Sequence, residues 1–302
     1  MARIAFLGTP AIAVPALEAL VGAGHEVLLV VSRPDARRGR GGAVTPSPVK
    51  AAAERLGLPA TDDLAEVEGS GAELGVVVAY GRIIPTSLLD EVPMVNIHFS
   101  LLPRWRGAAP LERAILAGDQ ETGVCLMAVA PELDTGGIYA STATPIGDKT
   151  LAVLQDELAG LGAELLVEAL DDWTGSLGDP VEQVGEVTYA AKIAPGELAI
   201  DVRAGADEAL RKIRLGRAFT TWDGRRLRIL DARSSPQRGL GAPGVLDGTT
   251  LTLGDGAIEL LAVQPESRSA MPAADWRRGL PPGDVLLGRA SHERDDDPRL
   301  GP

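Results

Sequence analysis

Two side chains suited to acid–base and polar chemistry lie two positions apart at the end of a predicted strand. Asn96 and His98 close the apolar, β-branched run 93–98, which is typical of a short strand. Side chains at i and i+2 of a strand point to the same side, so the amide and the imidazole are expected to project together. An amide can stabilise a developing oxyanion and an imidazole can move a proton, as acyl transfer requires. Taken alone, an Asn-x-His pattern at a strand end is more often structural than catalytic.

The residues that follow this pair form a loop that is costly to order. Residues 100–110 contain two prolines, a glycine and two arginines directly after a predicted buried strand. Ordered loops of this kind often carry function. A second polar segment, Leu-Asp-Thr-Gly at residues 133–136, reads by itself as ordinary turn chemistry. The sequence alone does not bring its Asp134 to His98.

Together these segments resemble the folate-dependent formyltransferases, in particular those that act on methionyl-tRNA, over about residues 3–192. The matching segments are Asn96-x-His98, Ser100-Leu101-Leu102-Pro103, Arg106-Gly107-Ala108-x-Pro110 and Leu133-Asp134-Thr135-Gly136. The resemblance implies that Asn96, His98 and Asp134 are the catalytic trio. It implies that Asn96 and a protonated His98 stabilise the oxyanion, while Asp134 orients His98 and helps to remove the proton of the attacking amine.

The same resemblance implies the substrates and their binding residues. The expected formyl donor is 10-formyltetrahydrofolate, which leaves as tetrahydrofolate, and the expected acceptor is the amino group of initiator methionyl-tRNA. In such enzymes the pterin binds in a crevice at the carboxyl ends of strands, largely through backbone groups. The residues expected to line that site here are Tyr80, Gly81, Ser100, Leu101, Leu102 and Pro103.

An arginine-rich segment between residues 32 and 48 is predicted to be a loop and is a candidate for binding an irregular anion. The resemblance implies that it grips the acceptor stem of the tRNA through the arginine of Gly-Arg-Gly, which is Arg40, assisted by Arg37 and Arg38. Related enzymes often continue with lysines, whereas Gly42 and Ala43 follow here. From the residues alone, a surface insertion without a function is an equally good interpretation.

The composition bounds the class of protein. A chain of 302 residues suits two domains, and no apolar run approaches the ~18 residues needed to span a bilayer. The first residues start a strand, and their apolar run is too short for a signal peptide. One cysteine and three histidines exclude an intramolecular disulfide and disfavour metal catalysis. We therefore expect a cytoplasmic monomer without a metal or a membrane partner.

The order of apolar segments predicts an α/β fold. Strand, helix and strand alternate over residues 3–31, which indicates a Rossmann-like, doubly wound sheet. The first turn lacks two glycines of Gly-x-Gly-x-x-Gly, so NAD or FAD binding is excluded there. Short strands with glycine-rich turns after residue 200 predict a small OB-like β-barrel. The expected domains are a catalytic domain at 1–175, a linker at 176–199, a tRNA-binding barrel at 200–289 and a disordered tail at 290–302.

The charge distribution bears on the acceptor. Residues 1–185 carry 12 basic and 25 acidic residues, whereas residues 203–238 carry 10 basic and 4 acidic residues. A polyanion would therefore bind along the second stretch, although a solvated charged face is an equally good reading of the count. Two alternatives stay open: a formyltransferase acting on an amino-sugar nucleotide, and a non-catalytic tRNA-binding relative.

Overall fold

The computed structural model describes residues 1–38, 42–236, 241–283 and 285–288. For Arg38 and Ala43 it describes the backbone only. The chain forms two compact units, each with its own core. The first unit comprises Met1–Ala114, Gln120–Gly147 and Ala152–Lys192, and the second comprises Ile115–Asp119, Asp148–Leu151 and Ile193–Pro302. The predicted disordered tail, 290–302, and the predicted tRNA contact Arg40 lie outside the described residues.

A seven-stranded sheet forms the centre of the first unit, in the order β10-β9-β7-β6-β1-β2-β5. The strands from the N-terminus to residue 190 are β1 (Arg3–Gly8), β2 (Glu26–Val31), β3 (Ala36–Arg38), β4 (Ala43–Thr45), β5 (Ala60–Thr61), β6 (Leu74–Val78), β7 (Met94–His98), β8 (Arg106–Gly107), β9 (Glu121–Ala128), β10 (Ile138–Pro145) and β11 (Tyr189–Ala190). Strands β5, β2, β1, β6 and β7 are parallel to one another, whereas β9 is antiparallel to both β7 and β10. The fold is thus the expected Rossmann-like one, with an antiparallel extension at one edge.

The helices connect and cover these strands. They are α1 (Val14–Gly22), α2 (Pro48–Leu56), α3 (Thr86–Glu91), α4 (Pro110–Ala117), α5 (Leu151–Leu170), α6 (Ala206–Arg214) and α7 (Ala273–Arg278), with short 3₁₀ turns at Ala11–Ala13, Leu64–Val67 and Pro195–Leu198. All five residues of β6 are buried, as expected for a parallel strand covered on both faces.

The start and the end of helix α2 are determined by residues at its two ends. The Ser47 side chain caps the helix by accepting a hydrogen bond from the Lys50 amide at 3.0 Å. Pro48 occupies the first helical position, where its fixed φ and missing N–H are tolerated. Gly57 ends the helix in the left-handed conformation, with φ of 71°. Both ends are thus set by residue types that can be read directly in the sequence.

Two parts of the first unit differ from the sequence-based expectation. Strand β10 was not predicted; it lies at the sheet edge and is only partly buried, so it lacks the continuous apolar run that marks the inner strands. The arginine-rich segment, expected as a loop, contains the antiparallel pair β3–β4, in which Arg37 lies opposite Val44.

The predicted linker, 176–199, also differs, because much of it pairs with the first unit. Val181 forms a two-way backbone hydrogen-bonded bridge with Ile138. Further on, β11 pairs with β8 in parallel. The glycines and prolines of this segment suggested a linker, but Val181, Thr188 and Ala190 make backbone hydrogen bonds to distant parts of the chain.

The second unit is an antiparallel barrel, as expected. Its strands are β12 (Phe219–Trp222), β13 (Arg225–Ser234), β14 (Val245–Asp247), β15 (Thr250–Thr252), β16 (Ala257–Pro265), β17 (Met271–Pro272) and β18 (Val285–Leu286). They follow the order β12-β13-β16-β15-β14-β18, with β17 on β16. A bridge between Trp222 and Leu287 links the two ends of this order, which nearly closes the sheet. Within the described residues, no helix is both long enough and apolar enough to cross a membrane.

The cap of α2 allows a test of the fold. We expect Ser47→Ala to lower the free energy of unfolding by about 1 kcal/mol, because the Lys50 amide loses its acceptor. The Ser47 hydroxyl also lies 2.5 Å from the Ser32 hydroxyl. Ser32→Ala is the matched control, since it removes that second contact and keeps the cap. Urea titration followed by circular dichroism makes the measurement, and an unchanged midpoint for Ser47→Ala would contradict the role of the cap.

Candidate active site

Asn96 and His98 lie in the middle of the first sheet, near the carboxyl end of β7. Asn96 is opposite Val77 of β6 and Met127 of β9, while His98 is opposite Cys125. The His98 residue is only 5% exposed, whereas Asn96 is half-buried. Within the described residues, the Asn96 amide has no hydrogen-bond partner, so it is free to donate to a substrate.

The hydrogen bond of His98 defines its tautomer. Its Nε2 lies 3.0 Å from the carbonyl oxygen of Trp105. A carbonyl can only accept, so Nε2 carries the hydrogen and donates it. In the neutral imidazole, Nδ1 is therefore a bare lone pair. This Nδ1 lies 3.7 Å from Oδ2 of Asp134, which is too far for a direct hydrogen bond.

Burial sets the charge state of His98. Removal from water lowers the pKa of the imidazole below its ordinary value of 6.5. The Asp134 carboxylate and the Trp105 carbonyl act in the opposite direction, because both favour the imidazolium. Since burial is the largest effect, the resting imidazole is neutral near pH 7, ready to accept a proton.

Asp134 reaches this site through a tight turn after β9. Its φ is 54°, a left-handed conformation that aspartate tolerates better than most residues. Its Oδ2 accepts a hydrogen bond from the Gly107 amide at 2.7 Å. At Gly136 a Cβ would lie 1.9 Å from the Ala128 carbonyl oxygen, so only glycine fits there. The structure thus brings together Asp134 and His98, which the sequence leaves 36 residues apart.

The loop after β7 is held by hydrogen bonds to a distant segment. The Trp105 amide donates to the Thr188 hydroxyl at 2.9 Å, and the Arg106 amide donates to the Thr188 carbonyl at 2.9 Å. Trp105 itself has a left-handed φ of 64°. The carbonyl that accepts from His98 is therefore held in place by Thr188.

The six residues predicted to bind folate follow two adjacent parallel strands. Tyr80 and Gly81 come after β6, and residues 100–103 come after β7, so both groups lie at the same edge of the sheet. The Ser100 hydroxyl donates to the Arg104 carbonyl at 2.6 Å, and the Gly81 carbonyl accepts from Arg33 at 2.5 Å. The hydroxyl hydrogen of Ser100 is thus already used within the protein.

Side chains of this loop also fill space within the sheet. A Cβ at Gly123 would lie 2.5 Å from Leu101 Cδ2, which places the Leu101 side chain over β9. Leu102 packs with Cys125 and Met127, and Pro103 follows it through a cis peptide bond. The side chains of Ser100, Leu101 and Leu102 thus serve the protein interior, and roles in ligand binding fall to the remaining groups of the loop.

Of the three arginines predicted to contact tRNA, the structure describes one completely. Arg37 is exposed on β3, while Arg38 ends that strand and its side chain is not described. Arg40 lies outside the described residues. Over the described ranges, no three His, Cys, Asp or Glu side chains are grouped as a metal ion would require.

Two residues of this site were not predicted from the sequence. Gln183 donates from Nε2 to the carbonyl of Asp134, and Thr188 accepts from Trp105. Both lie in the segment predicted as a linker. The β-branched pair Val187 and Thr188, directly before a tyrosine, was a signal for a short strand, whereas nothing in the sequence marked Gln183.

Comparisons with known proteins match both parts of the chain. Residues 2–170 match the formyl transferase family model, and residues 192–281 match the model of the formyl transferase C-terminal domain. The methionyl-tRNA formyltransferase of Jannaschia sp. (strain CCS1) is 45% identical over 303 residues, covering 94% of this chain and 99% of that protein. The methionyl-tRNA formyltransferase of Dinoroseobacter shibae is 47% identical, covering 92% and 97%.

Among solved structures, the sugar 3N-formyl transferase WlaRD is similar to this chain in fold. The TM-score is 0.68 at 17% identity, with 89% of this chain and 99% of that chain covered. That structure was determined in the presence of dTDP and 5-N-formyl-THF.

The coupling of Asp134 to His98 can be measured directly. We expect Asp134→Asn to lower the pKa of His98, because the charge that favours the imidazolium is removed while asparagine keeps the left-handed turn. The measurement is an NMR titration of the three histidine imidazoles, with His25 as the internal control. An unmoved His98 titration would show that the two groups do not interact.

Proposed function

We propose that this chain, which belongs to the formyl transferase family and within it to the methionyl-tRNA formyltransferases, transfers a formyl group from 10-formyltetrahydrofolate to the amino group of methionyl-tRNA. The observation that carries the proposal is the convergence of Asn96, His98 and Asp134 at one sheet edge, in a chain 45–47% identical to methionyl-tRNA formyltransferases over nearly its full length. The expected product of the donor is tetrahydrofolate.

Asn96 stabilises the charge that develops during the reaction. The free amine of the methionyl group attacks the formyl carbon, and the C=O electrons move onto oxygen to give a tetrahedral oxyanion. The Asn96 amide, which has no partner among the described residues, donates a hydrogen bond to that oxygen. Such a donor, fixed on a central strand before the reaction begins, stabilises the transition state more than the ground state.

His98 accepts the proton of the attacking amine, and Asp134 stabilises the charge that results. The Nε2 hydrogen of His98 is engaged by Trp105, so Nδ1 is the atom that can accept a proton. The resulting imidazolium lies 3.7 Å from the Asp134 carboxylate, which stabilises it. His98 thus begins neutral and becomes charged as the oxyanion forms, and the protonated His98 that the resemblance implies arises in this step. Collapse of the intermediate breaks the bond from the formyl carbon to the folate nitrogen. That nitrogen takes the proton that His98 accepted, so the imidazole returns to its neutral form.

Binding of the folate is assigned to the edge formed after β6 and β7. Tyr80, Gly81 and residues 100–103 surround the carboxyl ends of these strands, where ligands of open α/β sheets bind. Because several side chains there are used internally, we assign the pterin contacts chiefly to backbone groups.

Recognition of the acceptor requires positive charge on an acidic protein. We assign contacts with the tRNA backbone to Arg37, Arg38 and Arg40 of the β3–β4 segment and to the basic stretch 203–238 of the barrel. Guanidinium groups suit phosphate oxygens because they offer several donors in a plane. The amino-sugar alternative has less support, since WlaRD is 17% identical and its likeness concerns the fold alone.

Asn96 and His98 are expected to be indispensable for transfer. Asn96→Ala should lower the single-turnover rate by about 10²–10³-fold, the usual loss when one oxyanion donor is removed. Asn96→Asp, which keeps the shape but replaces the donor with a charge, should be at least as slow, and His98→Ala should show no measurable transfer. Folate titration of the same variants should give affinities near wild type. Near-normal transfer by Asn96→Ala would remove Asn96 from the mechanism.

The acceptor is tested through salt dependence. Each phosphate contact by Lys or Arg contributes about 0.7–0.9 to the slope of log affinity against log salt. Arg40→Ala should therefore weaken binding of methionyl-tRNA and flatten the slope by about that amount. Arg55→Ala is the matched control, because Arg55 is an exposed arginine of α2 paired with Glu18. A salt-independent reaction, or better transfer to an amino-sugar nucleotide, would favour the alternative acceptor.

A further inference from the structure

We propose that Gln183 is a positioning residue of the transfer site, which holds the turn of Asp134 against the loop that carries Arg106. The inference rests on the proposed function, because formyl transfer is what gives the placement of Asp134 its importance. Gln183 does not contact the reacting atoms and acts only through the residues that it holds.

The amide of Gln183 is used completely. Its Nε2 donates to the carbonyl oxygens of Asp134 and Gly136, at 2.9 and 2.8 Å. Its Oε1 accepts from Nε and Nη2 of Arg106, at 3.1 and 2.7 Å. An amide has two donor hydrogens and one acceptor oxygen, so one side chain joins two segments through four hydrogen bonds.

These hydrogen bonds hold the turn that positions the Asp134 side chain. Gln183 joins the main chain of the Asp134 turn to the Arg106 side chain. Gly107, the residue after Arg106, donates its amide hydrogen to the Asp134 carboxylate. The same two segments are therefore connected twice. Asp134 and His98 make no direct hydrogen bond at 3.7 Å, so His98 cannot hold the carboxylate in place.

The exposure pattern supports a specific role for this side chain. Among residues 181–187, Gln183 alone is half-buried and its six neighbours are exposed. This part of the chain thus runs over the surface and turns one side chain inward. Val181 and β11 pair with the fold on either side of it, so Gln183 is held from both directions.

A second glutamine of this chain provides a matched control. Gln264 in the barrel also bridges an arginine and a carbonyl, since its Oε1 accepts from Arg228 at 2.9 Å and its Nε2 donates to the Arg268 carbonyl at 3.0 Å. Gln264→Met removes the same kinds of bond as Gln183→Met, at a place without the catalytic trio.

The first readout is kinetic. Gln183→Met should lower kcat for transfer by about 10–100-fold, as expected for a carboxylate displaced by about 1 Å, with KM for the folate changed by less than about twofold. Gln183→Glu should be similarly slow, because a carboxylate retains Arg106 but cannot donate to the carbonyls of Asp134 and Gly136. Gln264→Met should retain the wild-type kcat, measured at saturating methionyl-tRNA because its partner Arg228 lies in the stretch assigned to tRNA binding. Wild-type kcat in folded Gln183→Met or Gln183→Glu would overturn the proposal.

The second readout does not depend on activity. In Gln183→Met, the His98 imidazole should titrate at lower pH than in wild type, since the Asp134 carboxylate is no longer held beside it. In Gln264→Met the titration should not move. A simple loss of stability would not shift the titration of one histidine, so an unmoved His98 in folded Gln183→Met would overturn the proposal.

The two readouts also separate this proposal from the proposed function. If wild type transferred no formyl group to methionyl-tRNA, the function would be wrong, whereas the His98 titration would still show whether Gln183 holds Asp134. If wild type is active and Gln183→Met is equally active, only the positioning role fails.

Discussion

The geometry of the active site depends on backbone hydrogen bonds between the loop after β7 and a segment about 80 residues further along the chain. The amides of Trp105 and Arg106 bond to Thr188, and the Ala108 amide bonds to the Ala190 carbonyl. An irregular loop cannot pair its own amides, and leaving them buried without partners is costly. At Gly107, whose φ is 123°, a Cβ would lie 2.9 Å from the Ala190 carbonyl oxygen. The two segments therefore approach so closely that each determines the shape of the other.

That arrangement also sets the electrostatics of the site. The Trp105 carbonyl holds one nitrogen of His98, and the Gly107 amide holds the carboxylate that faces the other. Both partners of the imidazole are thus placed by the same loop. Burial keeps His98 neutral, and Asp134 stabilises the charge once a proton arrives. A neutral base next to a fixed carboxylate fits an attacking amine, which must lose a proton as it forms its new bond.

In the second unit, ion pairs with carboxylates offset part of the positive charge counted in the stretch 203–238. Lys212 pairs with Glu208 at 2.8 Å, and Arg233 pairs with Glu259 at 2.7 Å. Arg226 lies over the ring of Phe219, with its guanidinium carbon 3.6 Å from the ring centre, an arrangement that still leaves donors for a phosphate. Two of the cations counted in the stretch 203–238 are thus paired with carboxylates of the same unit.

The sequence alone determined the fold class, the strand that presents Asn96 and His98, and the caps of α2, because these depend on apolar patterning and on local side chains. The interpretation of Asp134 as catalytic came from the resemblance of its Leu-Asp-Thr-Gly segment to a known family. The tertiary structure decided what the sequence left open: the 3.7 Å between His98 and Asp134, the burial that lowers the pKa of His98, and the attachment of Gln183 and Thr188 to the site. The physical reason is that hydrogen bonds and burial between distant segments depend on their positions in space. An edge strand such as β10 or a surface segment such as 181–190 has little apolar pattern, so its place in the fold cannot be predicted from the sequence.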